Sequence, residues 1–141
     1  MTEQREQPTA ASPHSAGPAH VAYEWVLALF LVLGAVQIFL AGFGVWSLGS
    51  GPGFDPHRVL GFTMAGLGLV ILVLAVVARA GRRAIGIAAL LFVLAAFGQS
   101  LLAALGDEGA FWGGLHALDG LVILGLAGFL HGAARRGAPL P

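Results

Sequence analysis

Beyond position 20 the chain is a series of long apolar runs separated by short polar breaks. The first run extends from about Ala22 to Leu48. The second, Val59 to Ala78, has no charge between Arg58 and Arg79. The third, Ala84 to Gly106, is interrupted only by Gln99 and Ser100. The fourth, about Ala110 to Leu130, contains His116 and Asp119. Roughly 20 apolar residues cross the ~30 Å hydrocarbon core of a bilayer. In lipid such a run satisfies its own backbone only as a helix. The pattern predicts an all-α, integral membrane four-helix up-down bundle spanning residues 21–134. Residues 1–20 carry three prolines and no periodic apolar face. They read as a disordered tail rather than a signal peptide, having one Arg and no short apolar core. Residues 135–141 read as a short C-terminal tail.

The connections set the topology. Ala80 to Arg83 joins helices 2 and 3 tightly, making them antiparallel neighbours. Gly49 to Pro56 is rich in Gly and Pro and ends in Asp55-Pro56, an N-cap followed by a first-turn proline. Arg79, Arg82, Arg83, Arg135 and Arg136 fall at one end of the bundle. Arg58 falls at the other with Asp55, Asp107 and Glu108. By the positive-inside rule both termini are cytoplasmic, and helices 2 and 4 start at the outer face.

Composition narrows the function classes. The chain is 57% hydrophobic and 10% charged, where soluble domains carry about 25% charged residues. The formal net charge is +0, without the basic footprint of a nucleic-acid binder. There is no Cys, which removes disulfides, thiolate metal sites, iron–sulfur clusters and thiol nucleophiles together. All the basic residues are Arg, and Gly and Ala are abundant, which reads as GC-rich coding. No Walker motif, G-x-S-x-G elbow or H-E-x-x-H motif occurs. One acid inside the span and no base deep within it argue against an ion pump or a carrier of charged solutes.

The two halves resemble each other. Gln37-Ile-Phe-Leu-Ala-Gly-Phe-Gly44 parallels Gln99-Ser-Leu-Leu-Ala-Ala-Leu-Gly106, and His57-Arg-Val-Leu-Gly61 parallels His116-Ala-Leu-Asp-Gly120. This describes two pseudo-repeated helix pairs related by an axis along the membrane normal. Helices 2 and 4 then lie parallel and diagonal, and His57 faces His116 near the outer surface. Gly61 and Gly120 lie one turn deeper on the same helix faces. Ala41, Gly44, Ala103 and Gly106 thin the other two helices at that depth. Two facing imidazoles with a slot between them suit one heme b with two axial histidines. A helix N-terminus disfavours imidazolium, which keeps both rings neutral and able to donate a lone pair.

Each candidate also has a plainer explanation. A His near a membrane surface is often an interfacial polar residue. A two-His copper or zinc site is under-liganded, unless Asp119 completes it. Gln37 and Gln99 either join helices by amide hydrogen bonds or line the cofactor pocket. Asp119 is either functional or the partner of Arg58. His131 lies about 22 Å along the helix from His116 at 1.5 Å per residue, and its counterpart in helix 2 is Leu72. One heme at most is therefore expected, with His131 at the cytoplasmic interface. His14 and His20 are expected in a solvated tail. Trp25, Trp46, Trp112 and Tyr23 are expected in the aromatic belts.

The segments Q-I-F-L-A-G, D-P-H-R-V-L-G, Q-S-L-L-A and L-H-A-L-D-G resemble a family of small four-helix bacterial (actinobacterial-type) membrane proteins of unknown function, over about residues 21–134. More distantly, the four helices are similar to a half-bundle of heme A synthase. That resemblance implies heme ligation by His57 and His116. Where that family carries a Glu three residues before a ligand His, this chain has Phe54 and Gly113, so the resemblance does not extend to the oxidation chemistry.

The expected function is that of a multi-pass cell-membrane protein binding heme b. It would transfer electrons or sense redox state with a quinone or a respiratory protein as partner, and could form a homo-oligomer. The alternative is a non-catalytic accessory or lipid- and small-molecule-binding bundle with structural His and Gln pairs.

Overall fold

The computed structural model describes residues 17–47 and 51–137. Four helices, α1 (Pro18–Trp46), α2 (Asp55–Val77), α3 (Arg82–Leu105) and α4 (Ala110–Arg135), are each long and apolar enough to cross a membrane. No strand occurs among the described residues. The chain is a multi-pass membrane protein with its helices in a lipid bilayer. Exposed Trp25, Phe39, Phe62, Phe97 and Phe111 face outward, where lipid tails take the place of water. Consecutive helices pack side by side and α1 closes against α4, while the backbones of α2 and α4 do not approach closely. They are diagonal, as the sequence predicts.

Buried residues recur at steps of four, three and four in every helix. The seams so formed are Tyr23, Leu27, Phe30 and Gly34 in α1; Met64, Gly68, Ile71 and Ala75 in α2; Ala84, Ala88, Leu91 and Ala95 in α3; and Ile123, Ala127, Leu130 and Ala134 in α4, with Gly44 and Ala133 also buried. A seven-residue period keeps one seam facing its partners and favours left-handed packing. The seams mix large and small residues, because lipid-embedded helices gain by close backbone approach rather than by escape from water. Gly68 shows the approach: an added Cβ would meet the Phe92 Cα at 3.5 Å.

The seams carry the repeat. The α2 positions His57, Gly61, Met64, Gly68, Ile71 and Ala75 correspond at one constant offset to His116, Gly120, Ile123, Ala127, Leu130 and Ala134. Tyr23, Leu27, Phe30 and Gly34 correspond to Ala84, Ala88, Leu91 and Ala95 at another. Past Gly34 that second offset grows by one, pairing Gln37, Ala41 and Gly44 with Gln99, Ala103 and Gly106. The extra residue is absorbed by a π-helical turn at Leu94–Gly98. Such turns accommodate one surplus residue within an α-helix.

Helix ends differ from expectation in three places. Helix α1 begins at Pro18, inside the segment read as a tail, because proline suits a first helical turn. The N-cap of α2 is Phe54, so Asp55 and Pro56 already lie in its first turn; with no side-chain cap bond, Asp55 acts through its charge at the positive helix end. Helix α4 continues to Arg135, one residue past the expected limit of the membrane domain. Between α2 and α3, the Arg79 N–H bonds Val76 O and the Ala80 N–H bonds Ala75 O, both at 3.0 Å. This is a Schellman turn with Arg79 at φ 53°, where glycine is usual. The following Gly81, at φ 94°, opens α3.

Candidate functional site

At the end away from the arginine cluster, the seam positions become polar. Gln37 of α1 meets His57 of α2, and Gln99 of α3 meets His116 of α4. The His57 Nδ1–H donates to Gln37 O at 3.1 Å, and the His116 Nδ1–H donates to Gln99 O at 3.2 Å. In return Gln37 Nε2 donates to His57 O at 2.9 Å, and Gln99 Nε2 donates to His116 O at 2.9 Å. Each helix pair is thus tied by the same reciprocal clasp. The clasp also fixes the chemistry of the rings. With Nδ1 spent on a carbonyl, each neutral imidazole carries its lone pair on Nε2.

The glycines of H-x-x-x-G serve this clasp. A Cβ on Gly61 would stand 3.2 Å from Gln37 Nε2, and one on Gly120 would stand 3.9 Å from Gln99 Nε2. The spaces read from sequence as a slot are therefore partly taken by the chain itself. Gly61 and Gly120 make room for the amides. Gly44 makes room for the Phe54 ring, which a Cβ there would meet at 2.6 Å. Ala41 is half-buried and Ala103 exposed.

His57 and His116 do come together. Their ring centres are 6.1 Å apart and their planes make 60°. Phe54 meets the His57 ring edge-on, with centres 6.2 Å apart. An imidazole nitrogen binds a metal at about 2 Å with its ring centre about 1 Å behind, so two rings on opposite sides of one ion have centres roughly 6 Å apart. The 6.1 Å between the two ring centres matches that separation. Backbone carbonyls holding the remote ring nitrogens are the usual outer support of ligating histidines. No group of three or more His, Asp or Glu assembles as an ion site among the described residues. A closed copper or zinc site completed by Asp119 is therefore not formed.

The two clasps differ in what surrounds the glutamine amide. Asp119 replaces the apolar Leu60 of the first half and accepts from Gln99 Nε2 at 2.8 Å. It does so beside Gly98, where a Cβ would stand 3.2 Å from Asp119 Oδ2. Arg58 lies 3.8 Å from Asp55 instead, both side chains well exposed at 72% and 79%. The alternative pairing of Arg58 with Asp119 is not made, because Arg58 lies within one turn of Asp55. In the first half the second Gln37 amide hydrogen points to His57 Nε2 at 3.3 Å, and Gln37 Oε1 is buried without a partner. The sequence marks the Gln and His pairs but not this asymmetry. Its signal was the one-residue change of repeat offset ahead of Gln99.

Two other residues depart from their expected surroundings. Tyr23 is 1% exposed and heads the α1 seam, so it packs between helix ends instead of joining an aromatic belt. His20 lies within α1, where its Nε2–H donates to Ala134 O at 3.0 Å. It ties the start of α1 to the end of α4 rather than lying in a solvated tail. His131 is half-buried near the arginine-rich end, with Nδ1 lacking a partner. His14 lies outside the described residues.

Residues 37–106 match the sequence model of a family of unknown function (DUF6220). The match starts at Gln37 and ends at Gly106, so it takes in the His57 clasp and Gln99 but stops short of His116 and Asp119. No curated protein and no solved structure matches the chain.

Proposed function

We propose that this protein binds one b-type heme through His57 and His116 near the outer face of the cell membrane. Its role would be electron transfer or redox sensing, with a quinone or a respiratory protein as partner. The observation that carries the reading is the symmetric pair: two imidazoles on diagonal helices, each held by a backbone carbonyl, with ring centres 6.1 Å apart. Each ring is held through Nδ1 by the backbone carbonyl of the glutamine in its own helix pair. A heme b held there would carry one electron at a time, its potential set by two nitrogen ligands and apolar surroundings. Phe54 and Gly113 stand three residues before the two histidines, so no acid is placed there and no oxidation of the heme itself is proposed. His131 has Leu72 as its counterpart, so one heme is proposed, not two.

The chain's own part is to present Nε2 lone pairs. The carbonyls of Gln37 and Gln99 hold the ring orientations, and the Gln37 amide must swing off His57 Nε2 before that ring can ligate. The same Gln37 contact favours a second reading, in which the clasps are purely structural. The bundle would then be an accessory subunit or a binder of lipid or small neutral molecules, alone or as a homo-oligomer. A visible spectrum of the detergent-purified protein, oxidised and then dithionite-reduced, separates the two. The expected result is a Soret band with sharp α and β bands on reduction, diminished by His57→Ala and by His116→Ala. A protein that stays colourless after hemin addition overturns the heme reading.

A further inference from the structure

We infer that Asp119 holds the second imidazole open, so that His116 is the first of the two rings to take a metal and His57 the second. The inference rests on the bis-histidine reading and concerns the order in which that site fills. A glutamine amide has two N–H donors. In both halves one goes to the histidine carbonyl. In the first half the other points to His57 Nε2 at 3.3 Å. In the second half it goes to Asp119 Oδ2 at 2.8 Å. A carboxylate is the stronger acceptor, and it draws the Gln99 amide away from the ring. His57 therefore has both ring nitrogens engaged, while His116 Nε2 has no hydrogen-bond partner among the described residues.

Three features of the second half make this arrangement. Leu60 gives way to Asp119 at the position three residues after the histidine. Gly98 leaves space for the carboxylate, where a Cβ would stand 3.2 Å from Oδ2. The π turn at Leu94–Gly98 brings Gln99 into the position that Gln37 holds in the first half. In that half the cap on His57 is long, and Gln37 Oε1 is buried without a partner. The cap is therefore the more readily displaced partner once a metal is held at His116. Asp119 is on this account a positioning residue, acting through Gln99 and not as a ligand.

The test uses the full chain in detergent with hemin as the probe, alongside nitrogen-15 NMR of the histidine rings without hemin. His57→Ala should retain hemin in a five-coordinate, high-spin form, and His116→Ala should bind at least about tenfold more weakly than His57→Ala. Asp119→Leu returns the Gln99 amide to the ring. It should weaken hemin binding by about 10- to 100-fold, the usual effect of removing an outer support. Asp119→Asn keeps an oxygen that accepts from Gln99 and should stay within a few-fold of the parent. Without hemin, the His116 Nε2 resonance should move toward that of His57 in Asp119→Leu and stay in place in Asp119→Asn. The double variant Val36→Gly with Leu60→Asp, which puts into the first half the counterparts of Gly98 and Asp119, should shift His57 Nε2 the opposite way, toward an open lone pair. Equal losses from the two histidine variants, or an Nε2 resonance unmoved by Asp119→Leu, would overturn the inference. If the parent protein binds no hemin, the bis-histidine reading fails, and the ring resonances alone still decide whether Asp119 opens His116.

Discussion

The two ends of the bundle solve the same packing problem by different means. Toward the arginine-rich end, four seams interlock, and Leu27, Phe30, Ile71, Ala88, Leu91 and Ala127 are fully buried. Toward the other end the same seam positions hold Gln37, His57, Gln99 and His116, and Gly44 is the one buried residue past the core seams among those described. Apolar side chains there are replaced by directed amide and imidazole bonds. Dense packing resists rearrangement, because every shift opens a void or a clash. A hydrogen-bonded layer can exchange partners at fixed helix positions. The difference teaches that one end is held by interlocked packing and the other by directed bonds whose partners can change.

Substitutions can break or sharpen that contrast. The largest effect is expected in the packed half. Phe30→Ala should cost about 3–5 kcal/mol through lost contacts and a cavity, read as a fall in unfolding midpoint in detergent. In the polar half, Gln99→Leu removes the donor to both His116 O and Asp119 Oδ2. Interhelical hydrogen bonds in membrane proteins are worth about 0.6 kcal/mol on average and up to about 1.7, so a loss of roughly 1–3 kcal/mol is expected in the same assay. A cost above that of Phe30→Ala would reverse the assignment of the two ends. At the turn below the packed half, Arg79→Gly should stabilise by about 1 kcal/mol, because glycine holds the left-handed conformation at φ 53° without the steric penalty. The smallest effect belongs to Asp55→Asn. Its exposed ion pair with Arg58 should contribute less than about 1 kcal/mol, and still less at high salt.

Much of this contrast was legible in the sequence. Four runs of membrane-spanning length gave the helices, and the Gln and His repeats gave the clasped pairs. Tyr23 was misplaced because an aromatic residue near a helix end suits a belt as well as a seam. Only its step to Leu27 and Phe30, seen across all four helices, separates the two. The Asp55 cap was misplaced by one residue, a boundary set by local backbone geometry that residue preference resolves poorly. Glycine at the fourth position after each histidine reads equally well as a cradle for a ligand or for an amide. What decides between them is which side chain crosses it, a property of two helices at once.

The clasps join neighbours in sequence, α1 to α2 and α3 to α4, and not partners across the bundle. This bears on how the chain enters a membrane. A hairpin that emerges with Gln37 and His57 already bonded to each other shows the lipid fewer unpaired polar groups, each of which is costly there. Each pair can therefore insert as a nearly self-satisfied unit with short-range contacts. The long-range seams need close only afterwards, when two finished hairpins meet.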